Sequence, residues 1–221
     1  LGTLAGRQYL SGIAGFTPPG LEQIELPSIS PRGCDTFGPL HRFGAVLFVE
    51  KEGFMPLFRA VTLAERYDLA IMSTKGVSVT AARKLVDDLA GYARNHLGHR
   101  LPLLVLHDFD KSGFTILGTF TRASRRYEYA NDLEVIDLGL RLADVQAMEL
   151  ASESVLVRGD DPRCNLRENG ASDDEIAYLL SGQRAAKGVW GQRVELNAMT
   201  SNQFVRWLEP RLVKAGIGKV I

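Results

Sequence analysis

Acidic side chains gather at two points where an apolar run stops. Ala45-Val46-Leu47-Phe48-Val49 closes on Glu50-Lys51-Glu52-Gly53, and Leu103-Leu104-Val105-Leu106 closes on His107-Asp108-Phe109-Asp110-Lys111-Ser112-Gly113. Glu50, Asp108 and Asp110 are the candidate catalytic and metal-ligating residues, because hard oxygen donors suit a divalent cation such as Mg²⁺ (or Mn²⁺). Phosphate chemistry is the usual reason to hold one. Asp108 and Asp110 flank Phe109, so continued strand geometry sends both carboxylates to one side and the phenyl ring to the other. Gly53 and Gly113 each trail an acid by three residues, where a glycine permits a tight turn and close approach of backbone to a ligand. Glu52 is a candidate extra donor. His107, which a regular strand points away from Asp108, is a candidate proton carrier. Against all of these stands the ordinary reading that strands end in charge because they end at the surface.

The elements that position these acids follow from the apolar pattern. Short Val- and Leu-rich runs that end abruptly in charge read as strands buried on both faces of a parallel sheet. Ligands bind outside the carboxyl ends of such strands, near the switch in strand order. Phe54, Leu57, Phe58, Val61 and Ala64 predict one helix over Phe54 to Tyr67, with Pro56 in its tolerant first turn. Leu69 to Met72 reads as a second strand. Ser73-Thr74-Lys75-Gly76 then forms a turn whose N–H groups and Lys75 ammonium suit a phosphate, or else an ordinary strand-to-helix loop. The helix from Ser78 to Ala90 puts Ala81, Leu85, Val86 and Leu89 on one face and Arg83 and Lys84 outside it. Arg83 is an accessory candidate at the site edge, or a surface arginine. Arg122, Arg125 and Arg126 beside Tyr127 and Tyr129 suit a nucleic-acid backbone and its bases, or a solvated loop. Leu133 to Leu138 reads as the fourth strand, followed by a short helix from Val145 to Leu150.

Bulk properties exclude several classes. A chain of 221 residues, 45% of them apolar, can bury one good α/β core. Its 26 basic and 26 acidic residues cancel, so no global charge draws it to nucleic acid or to an anionic membrane. Cys34 and Cys164 have no paired spacing and no histidine cluster, which argues against zinc and for a reducing, cytoplasmic setting. No apolar run reaches membrane-span length, and no signal peptide opens the sequence. Residues 1–43 are broken by Pro18-Pro19-Gly20, Pro27, Pro31-Arg32-Gly33 and Gly38-Pro39 and read as an extended lead-in, the end of a missing N-terminal region, ahead of a domain over 44–221. Gly91 to Arg100 carries His96 and His99, which are not read as ligands. The C-terminal third reads as helical packing, irregular from Val157 to Arg167. Capping boxes at Ser172-Asp173-Asp174-Glu175 and Thr200-Ser201-Asn202-Gln203 mark two helix starts. Glu195 is an accessory acid only if the chain folds back to the sheet.

A strand ending in Glu-x-x-Gly, followed later by one ending in Asp-x-Asp, resembles the TOPRIM domain. The closer likeness is to the A subunit of topoisomerase VI, its meiotic break-forming relatives and bacterial TOPRIM proteins of plasmid defence. It is carried by Val49-Glu50-Lys51-Glu52-Gly53, Ser73-Thr74-Lys75-Gly76 with Arg83, Ile136-Asp137-Leu138-Gly139-Leu140 with Asp144, and Val194-Glu195-Leu196-Asn197-Ala198. Ser112-Gly113 stands where topoisomerase VI A subunits usually carry Pro-x-Gly, which suggests a divergent branch. The resemblance implies an α/β, Rossmann-like fold with a parallel four-stranded sheet flanked by helices, here with helical C-terminal additions. It implies a metal-dependent nuclease or a topoisomerase-like isomerase that breaks DNA phosphodiesters with Mg²⁺ on Asp108 and Asp110. Glu50 is then a third ligand or the general acid or base for the leaving oxygen. It further implies DNA as partner, a homodimer and an ATPase subunit. In these relatives a Tyr on an upstream winged helix cleaves the strand. Tyr9 is the only Tyr before Glu50 and has no room for such a domain between itself and Gly44, so that Tyr lies upstream or water replaces it. Two other readings stand: a haloacid-dehalogenase-like phosphatase with Asp108 as nucleophile, and a non-catalytic module that binds DNA or a partner.

Overall fold

Four parallel strands flanked by helices make this an α/β protein, as the apolar runs imply. The computed structural model describes residues 10–11, 44–73, 79–98, 100–123, 127–186 and 188–219. Lys75, Arg125, Arg126, His99, Tyr9, Cys34 and the proline-rich part of the lead-in lie outside the described residues. Contacts divide the chain into two compact units. One runs to Leu103 and adds Tyr129–Glu134 and the residues from Gly216; the other is Leu104–Glu128 with Val135–Ala215.

In the first unit the strands are Leu10–Ser11 (β1), Ala45–Val49 (β2) and Leu69–Ser73 (β3). Every residue of β2 and β3 is buried, which explains their unbroken apolar sequences. They pair in parallel, with Ala45 opposite Leu69 and Val49 opposite Ser73, and β1 lies antiparallel on the far side of β3. The expected helix from Phe54 to Tyr67 is broken. A 3₁₀ turn at Glu52–Phe54 leads into Met55–Ala60 (α1), and the chain restarts at Leu63–Tyr67 (α2). The break falls at Val61-Thr62, where Thr62 takes φ 48°. Two successive β-branched residues favour a helix poorly, and a threonine at positive φ is strained. The helix Val79–Tyr92 (α3) runs on into a π-helical turn at Ala93–Leu97.

In the second unit Leu103–Leu106 (β4), of which Leu104–Leu106 belong here, runs beside Val135–Asp137 (β5). The Leu138 N–H donates to the Val105 carbonyl at 2.9 Å and the Leu140 N–H to the His107 carbonyl at 3.0 Å. Lys111–Thr121 (α4) follows the Asp-x-Asp turn and buries Phe114, Leu117 and Phe120. Leu142–Ala147 (α5), Arg163–Glu168 (α6), Asp173–Leu179 (α7) and Ser201–Lys214 (α8) complete the helices. Both expected capping boxes form, at Ser172 with Glu175 and at Thr200 with Gln203.

The C-terminal part also holds a sheet that the sequence did not announce. Glu153–Arg158 (β6), Arg184–Ala185 (β7) and Gly188–Arg193 (β8) form an antiparallel sheet in the order β6-β8-β7. Glycines hid β8, since glycine weakens a strand unless backbone must come close. At Gly191 it must: a Cβ there would lie 1.7 Å from the Leu179 carbonyl oxygen. No helix among the described residues is long and apolar enough to cross a membrane.

Candidate active site

The Asp-x-Asp turn is built by strand pairing on one side and helix capping on the other. Phe109 continues from β4 and exchanges backbone hydrogen bonds with Val194, at 2.9 and 3.1 Å. Its ring is fully buried against Phe114 and Tyr178. Asp108 and Asp110 flank Phe109 in the turn. Asp108 is buried, and its Oδ1 accepts the Leu196 N–H at 2.8 Å. Asp110 is the N-cap of α4, and its Oδ1 accepts the Gly113 N–H at 2.7 Å. Burial holds the Asp110 carboxyl above its ordinary value, and the charge of Asp108 pushes the same way, against the Gly113 hydrogen bond and the charges of His107 and Arg193. The two carboxylates therefore feel one another's charge.

The Val194–Leu196 segment does fold back to the sheet, which was the condition set for Glu195. Its carboxylate lies 3.3 Å from Arg193, which also pairs with Glu153 at 2.7 Å.

His107, the candidate proton carrier, is held inside the protein at both ring nitrogens. Its ring is fully buried, with Nδ1 at 2.7 Å from the Asp108 carbonyl oxygen and Nε2 at 3.1 Å from Asp137 Oδ1. Both ring nitrogens are therefore engaged within the protein. Two glycines make the space. A Cβ on Gly113 would lie 2.3 Å from the Asp108 carbonyl oxygen and 2.6 Å from His107 Nδ1, and one on Gly139 would lie 2.1 Å from His107 Nε2. Gly113 therefore admits the chain's own backbone and imidazole. Gly53, by contrast, has nothing within 4 Å of where its Cβ would stand.

The network continues outward. Asp137 accepts from Arg141 at 2.7 Å, and Arg141 makes a two-pronged pair with Glu175 at 2.6 and 2.7 Å while lying over the Phe114 ring at 5.2 Å. Glu175 also accepts the Ser172 N–H at 2.8 Å, so the acid of the capping box anchors this chain of charges. Burial works against ionised Asp137, but the hydrogen bond and charge of His107, the Gly139 N–H and Arg141 outweigh it and hold the carboxyl down at about 2. Asp144 accepts the Arg141 N–H at 3.0 Å and pairs with Arg211, a structural use of the acid in the Leu-Gly-Leu segment.

Sequence reasoning missed this network because its members are spread over 68 positions, from His107 to Glu175. The available signal was Gly139, directly beyond an acid-bearing strand.

In the first unit Glu50 follows the last residue of β2, half-buried, and Glu52 opens the 3₁₀ turn. Arg83, expected off the apolar face of its helix, is not at the surface. It is buried, donates to the Tyr129 hydroxyl at 3.2 Å and stacks its guanidinium 4.9 Å from that ring. Neighbouring Asp87 accepts from the Ala130 and Asn131 N–H groups, both at 2.9 Å, so Arg83 and Asp87 together clamp the 129–134 loop. Arg122 is held by Asn169 and by Glu168 at 3.4 Å, which ties it to α6.

Among the described residues no three His, Cys, Asp or Glu side chains cluster as a cage for a metal ion. What the donor set offers is the Asp108–Asp110 pair. Residues 45–208 match the TOP6A-Spo11 Toprim family, the Toprim domain of Spo11 and of the A subunit of topoisomerase 6. The chain belongs to that family. The match spans both acidic strand ends and the Val194–Leu196 segment that holds Asp108. Among individual curated proteins, none matches. Membership gives the chain a DNA-cleavage-related role in coarse terms, and it sets the haloacid-dehalogenase-like phosphatase reading aside. Toprim domains generally bind Mg²⁺, and carboxylate oxygens such as those of Asp108 and Asp110 are the hard donors that ion takes.

Proposed function

We propose that this Toprim domain breaks DNA phosphodiester bonds with a Mg²⁺ (or Mn²⁺) ion held by Asp108 and Asp110. The observation that carries the reading is the fixed pair itself: Leu196 orients one carboxylate and Gly113 the other, so both are positioned before any ligand arrives. Bound there, the ion supplies positive charge at a phosphoryl oxygen and a template for in-line displacement. Glu50 joins the pair on the strength of the family motif, as a third donor or as the general acid or base at the leaving oxygen. Glu52 is a further donor in the two-metal version. The network behind His107 keeps the Asp108 backbone in place and takes no part in proton transfer. DNA is the substrate, and the partners that the family resemblance implies are a second copy of the chain and an ATPase subunit.

The test is plasmid cleavage. Supercoiled DNA with Mg²⁺ is expected to be nicked or linearised by the protein, and Asp108→Asn or EDTA is expected to stop it. Cleavage that continues unchanged in Asp108→Asn, or that ignores EDTA, overturns the reading.

A further inference from the structure

A cavity of about 420 Å³ opens beside the Asp-x-Asp turn, formed by the first turns of α4, by β6 and by the end of α7. Small-ligand pockets run roughly from 300 to 1,000 Å³. One wall is apolar, made by Leu156 of β6 with Leu179 and Leu180. The lining also carries three cations, Lys111, Arg158 and Arg193, and one carboxylate, Asp110. Arg193 is engaged by Glu153 and Glu195. Lys111 and Arg158 have no carboxylate within ion-pair distance among the described residues. Among the described residues of this unit, Arg122, Arg141, Arg163 and Arg167 are each paired with a carboxylate. Ser112 and Gln192 add neutral donors and acceptors to the lining.

Two uncommitted cations beside an apolar wall suit a ligand that is anionic at one end, flat and apolar on its faces, and polar around its edge. A nucleotide has all three properties, whereas an alkyl acid has no polar edge for Gln192. We propose that this cavity holds one nucleotide of a DNA strand, turned out of its stack beside Asp108-Phe109-Asp110. Its phosphate lies against Lys111 and Arg158, and its base lies on the Leu156–Leu179–Leu180 wall. The inference rests on the DNA reading above and adds to it a subsite that grips a base.

The experiment measures binding of the whole chain, in EDTA, to a short single-stranded oligodeoxynucleotide and to the same backbone carrying abasic sites, by fluorescence anisotropy. Native protein is expected to prefer the base-bearing strand by roughly tenfold, within what one stacked base contributes. Thr115→Trp fills the cavity from an exposed position on α4 and is expected to erase that preference with the thermal midpoint unchanged. Lys111→Gln combined with Arg158→Gln is expected to weaken both strands and flatten the salt dependence. Equal binding of the two strands by native protein, or a preference that survives Thr115→Trp, overturns the inference. Cleavage plays no part in this readout. Plasmid cleavage without the base preference removes the subsite alone, and the preference without cleavage removes the nuclease reading alone.

Discussion

The Leu196 amide donates to Asp108 Oδ1 across 2.8 Å, so a backbone group 88 positions away sets the direction of the first acid of the Asp-x-Asp turn. The bond is buried, and this separates the structural role of Asp108 from its chemical one. Asp108→Ala leaves the Leu196 N–H buried without its acceptor, at a cost of about 1–3 kcal/mol. Asp108→Asn keeps an acceptor oxygen in place and removes only the charge. Denaturant unfolding is expected to show a clear loss of stability for the alanine variant and a much smaller one for the asparagine variant. Equal losses would mean that the Leu196 hydrogen bond does not hold the turn.

Gly139→Ala places a Cβ only 2.1 Å from His107 Nε2. The imidazole must move and give up Asp137, so the substitution is expected to destabilise the protein by about 1–3 kcal/mol. In a His107→Ala background the ring is gone and the same substitution is expected to cost far less. A double-mutant cycle by thermal or denaturant unfolding reads the difference, and additive losses would contradict the packing described.

Acid stability is governed in part by Asp137. Its folded-state value of about 2 lies below the ordinary 3.8, so its contribution is fully present above that ordinary value. It is lost as pH falls from near 4 through 2. The shift corresponds to about 2 kcal/mol. Asp110 acts with the opposite sign, because its raised value favours the folded state while the group is protonated, and that contribution fades as pH rises through the carboxylate range. Unfolding free energies of Asp137→Asn between pH 2 and 5 are expected to depend less on pH than those of the parent, and identical slopes would show that His107 and Arg141 do not hold Asp137 ionised.

Arg83 is a clamp on the 129–134 loop. Arg83→Met is therefore expected to lower stability by about 1–3 kcal/mol and to leave the salt dependence of DNA binding unchanged. Burial, opposed by the Arg83 hydrogen bond and charge, keeps the Tyr129 hydroxyl above its ordinary value. A reduced salt slope in Arg83→Met, with unfolding unaffected, would return Arg83 to the DNA-contacting role that its sequence position allowed.

Legibility in the sequence followed the range of the interactions. The strands β2, β3 and β4 were readable because each is buried on both faces and so is apolar throughout, and the two capping boxes were readable because their partners sit three residues apart. Asp108 and Asp110 stood out for the same local reason. Arg83 was misread because what buries it, Tyr129, lies 46 positions on. The His107–Asp137–Arg141–Glu175 network was invisible because four separate elements, β4, β5, α5 and α7, bring it together. The β6–β8 pair was missed because Gly188 and Gly191 serve close backbone approach and dilute the strand pattern, while β6 has polar ends. The helix over Phe54 to Tyr67 failed at Thr62, where apolar spacing alone outvoted two β-branched residues.

The most direct test of the central claim is calorimetric titration of the protein with Mn²⁺ and with Mg²⁺, beside Asp108→Asn and Asp110→Asn. The account predicts a divalent-cation site in the parent that each substitution weakens tenfold or more, with the fold intact by circular dichroism. Cation binding of equal strength in the parent and both variants would contradict it.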